Sequence, residues 1–183
     1  MSLTFSRRSF LKYTAVAAVA VAGSSLLTGC GEDEYQKTGK IGSTLKLMGT
    51  FKTYKSADAP TKAPAYTGNT FTCTVNIKCT TKKVPLYVTN ECFELTVTHD
   101  KNEKNYAKQY INIDKEEYDL KESEGAKDFK LTITPVDIQD GDKVELKYWP
   151  RIQASSGNSG YTRAFCTWKM TAKKDGTGKI ILE

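Results

Sequence analysis

The sequence predicts an all-β protein built as a single antiparallel β-sandwich, and three observations support this. Apolar and polar residues alternate along several segments, which is the pattern of a half-buried strand. The same segments are rich in Thr and Val, which favour strands. Turn residues separate them at short intervals, as in sandwiches and barrels. No segment shows the 3.6-residue apolar periodicity of an amphipathic helix.

The first two predicted strands lie on either side of a proline-containing segment. Residues 44–55 place Leu45, Leu47 and Phe51 inward. Residues 70–80, TFTCTVNIKCT, alternate more regularly, and their apolar face carries Phe71, Cys73, Val75, Ile77 and Cys79. The stretch between them, 56–69, contains two prolines and is interpreted as a long surface loop.

The same alternation predicts the later strands. Their inward residues are Phe93, Leu95 and Val97, then Ile111 and Ile113, then Phe129, Leu131 and Ile133, then Val144, Leu146 and Tyr148, and finally Ala164, Cys166, Trp168 and Met170. A last short strand, KIILE, follows a turn at 174–178. The acidic block 114–128 is interpreted as a solvated loop or edge. The predicted domain covers residues 44–183.

One segment refines the prediction of fold class. Residues 131–144, LTITPVDIQDGDKV, contain an apolar strand, an Asp-Gly turn and a second strand. This order resembles the segment that joins two late strands of immunoglobulin-like domains, although no Tyr-x-Cys follows Asp140-Gly141. The resemblance implies an immunoglobulin-like sandwich and nothing about ligands.

The first 29 residues have the composition of a cleaved export signal. Arg7, Arg8 and Lys12 precede the uncharged stretch 13–29, which is rich in small and apolar residues. A basic region followed by an apolar run of this kind is typical of a secretory signal peptide. Because a spanning helix needs about 20 apolar residues, the run is a little short to cross a membrane.

Two motifs specify the kind of signal. Residues 6–12, SRRSFLK, closely resemble the signal of the twin-arginine export pathway. Residues 27–30, LTGC, resemble the lipobox of bacterial lipoproteins, in which cleavage precedes the cysteine and Cys30 carries a diacylglycerol. The resemblance implies that residues 1–29 are removed and that acyl chains attach the protein to the bacterial cell membrane with its domain outside the cytoplasm. Residues 30–43 are then a lipidated cysteine and a polar tether.

Charge argues against a nucleic-acid partner. The full chain has a formal charge of +6, but residues 1–29 hold three basic and no acidic residues, so the remainder carries +3. A chain with a net charge this close to zero and with its charges interspersed is unlike a nucleic-acid-binding domain.

The cysteines predict two disulfides. Four of them, Cys73, Cys79, Cys92 and Cys166, follow Cys30, and an even number is typical of exported domains. Cys73 and Cys79 lie about 20 Å apart on one predicted strand, whereas a disulfide needs Cα atoms within about 7 Å. Two pairings stay open, and 73–166 with 79–92 is preferred over 73–92 with 79–166. Cys79 ends one strand and Cys92 begins another, and Cys73 and Cys166 both face inward.

The sequence offers few residues that could form a metal site or a catalytic site. The C-x₅-C spacing does not match zinc sites, and the aspartates at 137, 140 and 142 do not have the spacing of a calcium loop. His99 is the single histidine, which excludes a blue-copper site and leaves little basis for a catalytic triad. The sequence therefore predicts no metal, no cofactor and no catalytic residues.

One loop stands out as a candidate binding site. After residue 29 the chain has two arginines, Arg151 and Arg163, and both flank the segment 153–160 together with Trp149 and Tyr161. Arginines, aromatic rings and an adaptable Ser/Gly/Asn tip are typical of recognition loops. Alternation places Trp149 and Arg151 on the outer face. A simpler interpretation is a hairpin in which these two side chains stack on each other.

These observations predict a non-enzymatic, lipid-anchored module at the cell surface that binds a protein, glycan or small ligand through loops at one end of the sandwich. The alternative is an accessory lipoprotein of an exported redox or cofactor-containing complex, since the twin-arginine route exports folded proteins. An enzyme acting on cell-wall polymers through carboxylates is the third hypothesis.

Overall fold

The computed structural model describes residues 36–47, 56–80, 82, 84–153, 159–161 and 164–183. These residues form an all-β structure, as predicted. The strands are β1 (Gln36–Lys40), β2 (Leu45–Lys46), β3 (Ser56–Thr67), β4 (Thr70–Lys78), β5 (Leu86–Val88), β6 (Phe93–His99), β7 (Asn102–Tyr106), β8 (Ile111–Ile113), β9 (Tyr118–Leu120), β10 (Ala126–Ile133), β11 (Lys143–Tyr148), β12 (Arg151–Gln153), β13 (Ser159–Tyr161), β14 (Phe165–Lys174) and β15 (Ile180–Leu182). Short 3₁₀ turns occupy Asn90–Cys92, Lys108–Tyr110 and Glu122–Glu124.

Eleven of the described strands belong to one long sheet that curls into a nearly closed barrel. Its order is β7-β6-β11-β14-β15-β3-β4-β10-β8, with β1 paired to β14 and β2 to β3. A second sheet has the order β13-β12-β5-β9. The pairings are antiparallel except for β1 with β14, which is parallel. The antiparallel all-β class is confirmed, whereas the immunoglobulin-like sandwich is not, because the long sheet curves round instead of splitting into two facing layers.

The inward residues predicted from alternation are buried wherever the structure describes them. Along β4 the side chains alternate regularly between half-buried and buried positions. The same holds for the inward sets of β6, β10, β11 and β14, and Phe71, Phe129, Leu146 and Trp168 are fully buried. Phe51 lies outside the described residues. The two-residue period identified these strands because one face of the sheet is packed against the core and the other is solvated.

Strand β3 corrects the prediction of a long surface loop at 56–69. Residues 56–67 pair with β4, and the register shifts between Ala57 and Pro60, between Pro60 and Lys62, and between Lys62 and Ala65. Proline has no N–H for a sheet ladder, so it is accommodated where the pairing is irregular. The repeated register shifts explain how a segment with two prolines still forms a strand.

The small sheet also contains two segments for which no strand was predicted, and β9 lies at its edge. Strand β5 lies within 80–91, the segment between two cysteines, and β9 lies within the acidic block 114–128. Both strands have three residues and pair with each other, with Leu86 opposite Leu120. Strands this short are below the length at which alternation is recognisable.

Strand β1 lies inside the segment 30–43 that was predicted as a polar tether. Gly39 pairs with Trp168 of β14, and a Cβ at Gly39 would come within 2.3 Å of Ser43 Oγ. The Trp168 indole N–H donates to Ser43 O at 2.9 Å. The chain after β1 therefore turns back over the buried tryptophan, and the first described strand begins eight residues before the predicted boundary at 44.

Candidate functional site

A polar cleft of about 370 Å³ lies where the small sheet meets the segments around β8. Its lining side chains come from β5, the 3₁₀ turns after β5 and β7, the turn between β8 and β9, and the start of β12. They are Tyr87, Thr89, Asn90, Glu91, Lys108, Glu116, Glu117 and Arg151. The cleft therefore combines two cations, three carboxylates, one aromatic ring and two neutral polar groups.

Local hydrogen bonds fix the floor of the cleft. Thr89 caps the 3₁₀ turn, and its Oγ1 accepts from the N–H of Glu91 at 3.1 Å. The Asn90 amide donates to Ile111 O at 3.3 Å, which links this turn to β8. Arg151 lies opposite Tyr87 in the pairing of β12 with β5. Backbone pairing and capping together hold the polar side chains in position.

Glu91 joins the two cations of the cleft. Its Oε2 accepts from Arg151 Nη1 at 2.5 Å, and its Oε1 contacts Lys108 Nζ. The Arg151 side chain is 12 % exposed, and its guanidinium carbon lies 5.8 Å from the centre of the Tyr87 ring. A charge-assisted hydrogen bond and a ring contact therefore restrict the arginine.

Two exposed carboxylates form part of the rim of the cleft. Glu116 and Glu117 lie in the turn between β8 and β9, and Glu117 has a φ of +54°. This left-handed conformation is uncommon for residues other than glycine. Partial burial raises the pKa of Tyr87 above its ordinary value, and the Glu117 carboxylate raises it further. The Tyr87 hydroxyl is therefore a neutral donor beside the carboxylates.

The structure separates the members of the predicted binding loop. Trp149 is half-buried and packs against Phe165, with ring centres 5.6 Å apart, so it does not stack on Arg151. Arg151 points towards Tyr87 and Glu91 because Pro150 interrupts the alternation and β12 belongs to the other sheet. The Tyr161 backbone pairs with Arg151, whereas Arg163 and residues 154–158 lie outside the described residues.

The other residues of the cleft were missed by the sequence prediction. Glu91 and Lys108 lie 60 and 43 positions before Arg151, and ordinary charged residues carry no signal of their own in a single sequence. The paucity of arginine after residue 29 was the one usable signal, and it identified Arg151.

The predicted disulfides are not confirmed, since none of Cys73, Cys79, Cys92 and Cys166 forms one. All four are buried, and three of them point towards nearby carbonyl groups, including Cys166, whose Sγ lies 4.0 Å from Tyr148 O. Cys79 Sγ lies 3.7 Å from Val84 O, and Cys92 Sγ lies 3.5 Å from Tyr87 O. Burial raises the pKa of Cys92 to about 12 and also raises those of Cys73 and Cys166. These three thiols are therefore protonated at neutral pH. Cys30 lies outside the described residues.

The fold places His99 beside the buried carboxylate of Asp142, which lies 43 residues later in the chain. Its Nδ1–H donates to Asp142 Oδ1 at 2.6 Å, and Asp142 Oδ2 accepts from the N–H of Gln139 at 2.8 Å. The Asp142 side chain is 2 % exposed, whereas that of His99 is 45 % exposed. The hydrogen bond to Asp142 raises the pKa of His99 above 6.5. The hydrogen bond between His99 and Asp142 therefore links the end of β6 to the connection between β10 and β11.

We expect Asp142→Asn to lower the pKa of His99 towards 6.5, because the hydrogen bond to the carboxylate favours the charged ring. The folded-state pKa is raised, so the stabilisation from His99 is complete below the unfolded pKa. It is lost as the pH rises through the folded value. NMR titration can follow this ring directly, since the chain has one histidine.

Asp100→Asn is the matched control and should shift the titration less, because Asp100 is 87 % exposed and 3.4 Å away. An unchanged titration in Asp142→Asn would contradict this explanation.

Two further observations concern the part of the chain that the structure describes. No three of its His, Cys, Asp and Glu side chains are grouped so as to hold a metal ion. None of its helices has the length and apolar character needed to cross a membrane.

Comparison with known proteins identifies the amino-terminal segment. Residues 4–24 match the family model of the TAT (twin-arginine translocation) pathway signal sequence. No curated protein and no solved structure matches the chain. The chain thus begins with a twin-arginine signal, which implies export across the cytoplasmic membrane.

Proposed function

We propose that the exported chain is a lipid-anchored binding module and that the polar cleft around Arg151 is its ligand site. The observation that carries this proposal is the fixed position of the Arg151 guanidinium, which contacts both Glu91 and the Tyr87 ring. Binding costs less ordering entropy when the polar groups of a site are already held in place. A restricted cation beside exposed carboxylates is suited to recognising a ligand with several polar groups.

The composition of the cleft favours a short, hydrogen-bonding ligand. Ligand pockets typically measure about 300–1,000 Å³, so a volume of about 370 Å³ is near the lower end of that range. Glu116 and Glu117 supply acceptors, Asn90 and Tyr87 supply neutral donors, and the tyrosine ring offers an apolar face. We therefore expect the ligand to be a saccharide of one or two rings or a short segment of a partner protein.

The membrane anchor in this proposal rests on residues 27–30, LTGC, directly after the export signal. Each buried CH₂ of an acyl chain contributes about 0.8 kcal/mol, so two or three chains on Cys30 make a stable anchor. Intact mass of the protein extracted from its own membrane tests it. Cleavage before Cys30 with added acyl chains supports lipidation, and an unmodified amino terminus overturns it.

We expect Glu116→Gln combined with Glu117→Gln to weaken ligand binding at least tenfold, because both changes remove a charge from the rim without filling the cleft. Ligands would come from an array of mono- and disaccharides and tripeptides, and affinities from isothermal titration calorimetry. Arg151 is a less suitable target, since its ion pair with Glu91 also supports the fold.

The matched control is Glu103→Gln with Glu122→Gln, which removes the same charge from β7 and from the 3₁₀ turn after β9. Unchanged affinity in the control with a loss in the cleft variant supports the site. Equal affinity in both double variants places the ligand elsewhere.

A further inference from the structure

A second concave surface lies on the outer face of the barrel, where the ends of β1 and β15 meet beside β14. Lys40 at the end of β1 pairs with Lys169, and Glu183 exchanges backbone hydrogen bonds of 2.7 and 3.1 Å with Thr171. A groove of about 630 Å³ lies over this junction. Six charged side chains line it, namely Lys40, Lys143, Lys169, Lys173, Glu145 and Glu183. We call this surface the lysine groove.

The lysine groove has an excess of positive charge. Two of its lysines have carboxylate partners, since Lys169 Nζ lies 3.4 Å from Glu145 Oε1 and Lys173 contacts Glu183 Oε1. Among the residues that the structure describes, neither Lys40 nor Lys143 has a carboxylate within ion-pair distance. The two lie on either side of β14, because Lys40 pairs with Lys169 and Lys143 pairs with Thr171. The six side chains therefore sum to a formal charge of +2, carried by these two lysines.

The shape of the surface distinguishes it from an ordinary solvated sheet face. The four lysines come from three strands that are distant in sequence, and they surround a depression whose floor includes the half-buried Thr171. The groove is lined by charges of both signs with a net excess of positive charge, and a net charge on a concave surface produces a stronger potential than the same charge on a convex one. Such a potential attracts an anion to the position between Lys40 and Lys143.

The residue type indicates which anion fits. Arginine presents a planar fork that suits carboxylates and phosphates alike, whereas lysine binds phosphate oxygens as a compact point charge. A phosphate ester carries up to two negative charges, which matches the formal charge of +2 in the groove. The lysine groove contains no arginine. We propose that it binds the phosphate group of a phosphomonoester or phosphodiester, held between Lys40 and Lys143 over Thr171. This site is independent of the cleft around Arg151.

The test is an NMR titration of the isotope-labelled exported protein with sn-glycerol 3-phosphate, following the amides of Thr171 and Glu183. Dihexanoyl phosphatidylglycerol, below its micelle concentration, is titrated in parallel to present the same phosphate as a lipid headgroup. Dihexanoyl phosphatidylcholine measures the affinity for the acyl chains alone. We expect saturable shifts at these two amides, with an affinity that falls as salt is added.

Lys40→Gln with Lys143→Gln should weaken this binding at least tenfold. The matched control, Lys78→Gln with Lys130→Gln, removes two exposed lysines from β4 and β10 and should leave it unchanged. Binding of glycerol phosphate identifies a soluble phosphate ester as the ligand, and binding of phosphatidylglycerol alone identifies a lipid headgroup. Either outcome supports the site. No saturable binding of either probe, or an equal loss in both double variants, overturns it.

Discussion

Replacing Trp168 with alanine should destabilise the protein by about 3–5 kcal/mol, the cost of emptying a large aromatic site in a packed core. Trp168 is fully buried, lies between Leu146 and Gly39 in the sheet, and donates its indole N–H to Ser43 O at 2.9 Å. The change leaves a cavity and also removes the hydrogen bond that holds the chain after β1. Urea denaturation measures the free energy of unfolding directly.

Two further variants test this prediction. One separates the loss of the indole hydrogen bond from the loss of ring volume, and the other is a control at the second tryptophan. Trp168→Phe keeps most of the ring volume but loses the donor, so it should cost about 1–2 kcal/mol. Trp149→Ala removes the other tryptophan, which is half-buried against Phe165, and should cost less than Trp168→Ala. If the two alanine variants were equally stable, Trp168 would not be the central side chain of the core.

Glu91→Ala should destabilise the protein by about 2–3 kcal/mol, below the usual cost of breaking a fully buried ion pair because Glu91 is 28 % exposed. The change removes the carboxylate that accepts from Arg151, whose side chain is 12 % exposed, and the same carboxylate's contact with Lys108. It should also weaken ligand binding at the cleft, since the guanidinium loses one of the groups that position it.

Two further variants test this account of the ion pair between Glu91 and Arg151. One breaks an exposed ion pair, and the other removes both charges of the partly buried pair. Glu145→Ala breaks a 3.4 Å contact with Lys169, whose side chain is 57 % exposed, and should cost less than about 1 kcal/mol. Glu91→Met combined with Arg151→Met removes both charges and should recover part of the stability lost in Glu91→Ala. A double variant less stable than Glu91→Ala would contradict this account of the ion pair.

Much of the strand content could be predicted because burial imposes a two-residue period on the sequence. Residues 70–78 and 144–148 lie in strands with one face against the core, so Val75 or Leu146 could be assigned to the interior from neighbours alone. The same period does not reveal which strands pair, and it predicted a sandwich where the sheet curls into a nearly closed barrel. Strand order depends on contacts between distant segments, such as β3 with β15, that local pattern does not encode.

The candidate site was less predictable than the fold. Arg151 could be singled out because arginine is scarce after residue 29, but its partner Glu91 lies 60 residues earlier and resembles many other surface acids. The contact between His99 and Asp142 likewise depends on the packing of a loop against the end of β6. In β3, prolines that argued against a strand are accommodated by register shifts, which no local rule predicts.

On the lipid-anchor proposal, the position of β1 limits the distance between the barrel and the membrane. If Cys30 carries the acyl chains, six peptide units separate it from Gln36, and even a fully extended chain of that length reaches only about 20 Å. Gln36 pairs with Phe165, which packs on Trp149. On the lipid-anchor proposal, this end of the barrel would lie within about 20 Å of the bilayer surface. A longer linker inserted before Gln36 would extend its reach without altering either proposed site.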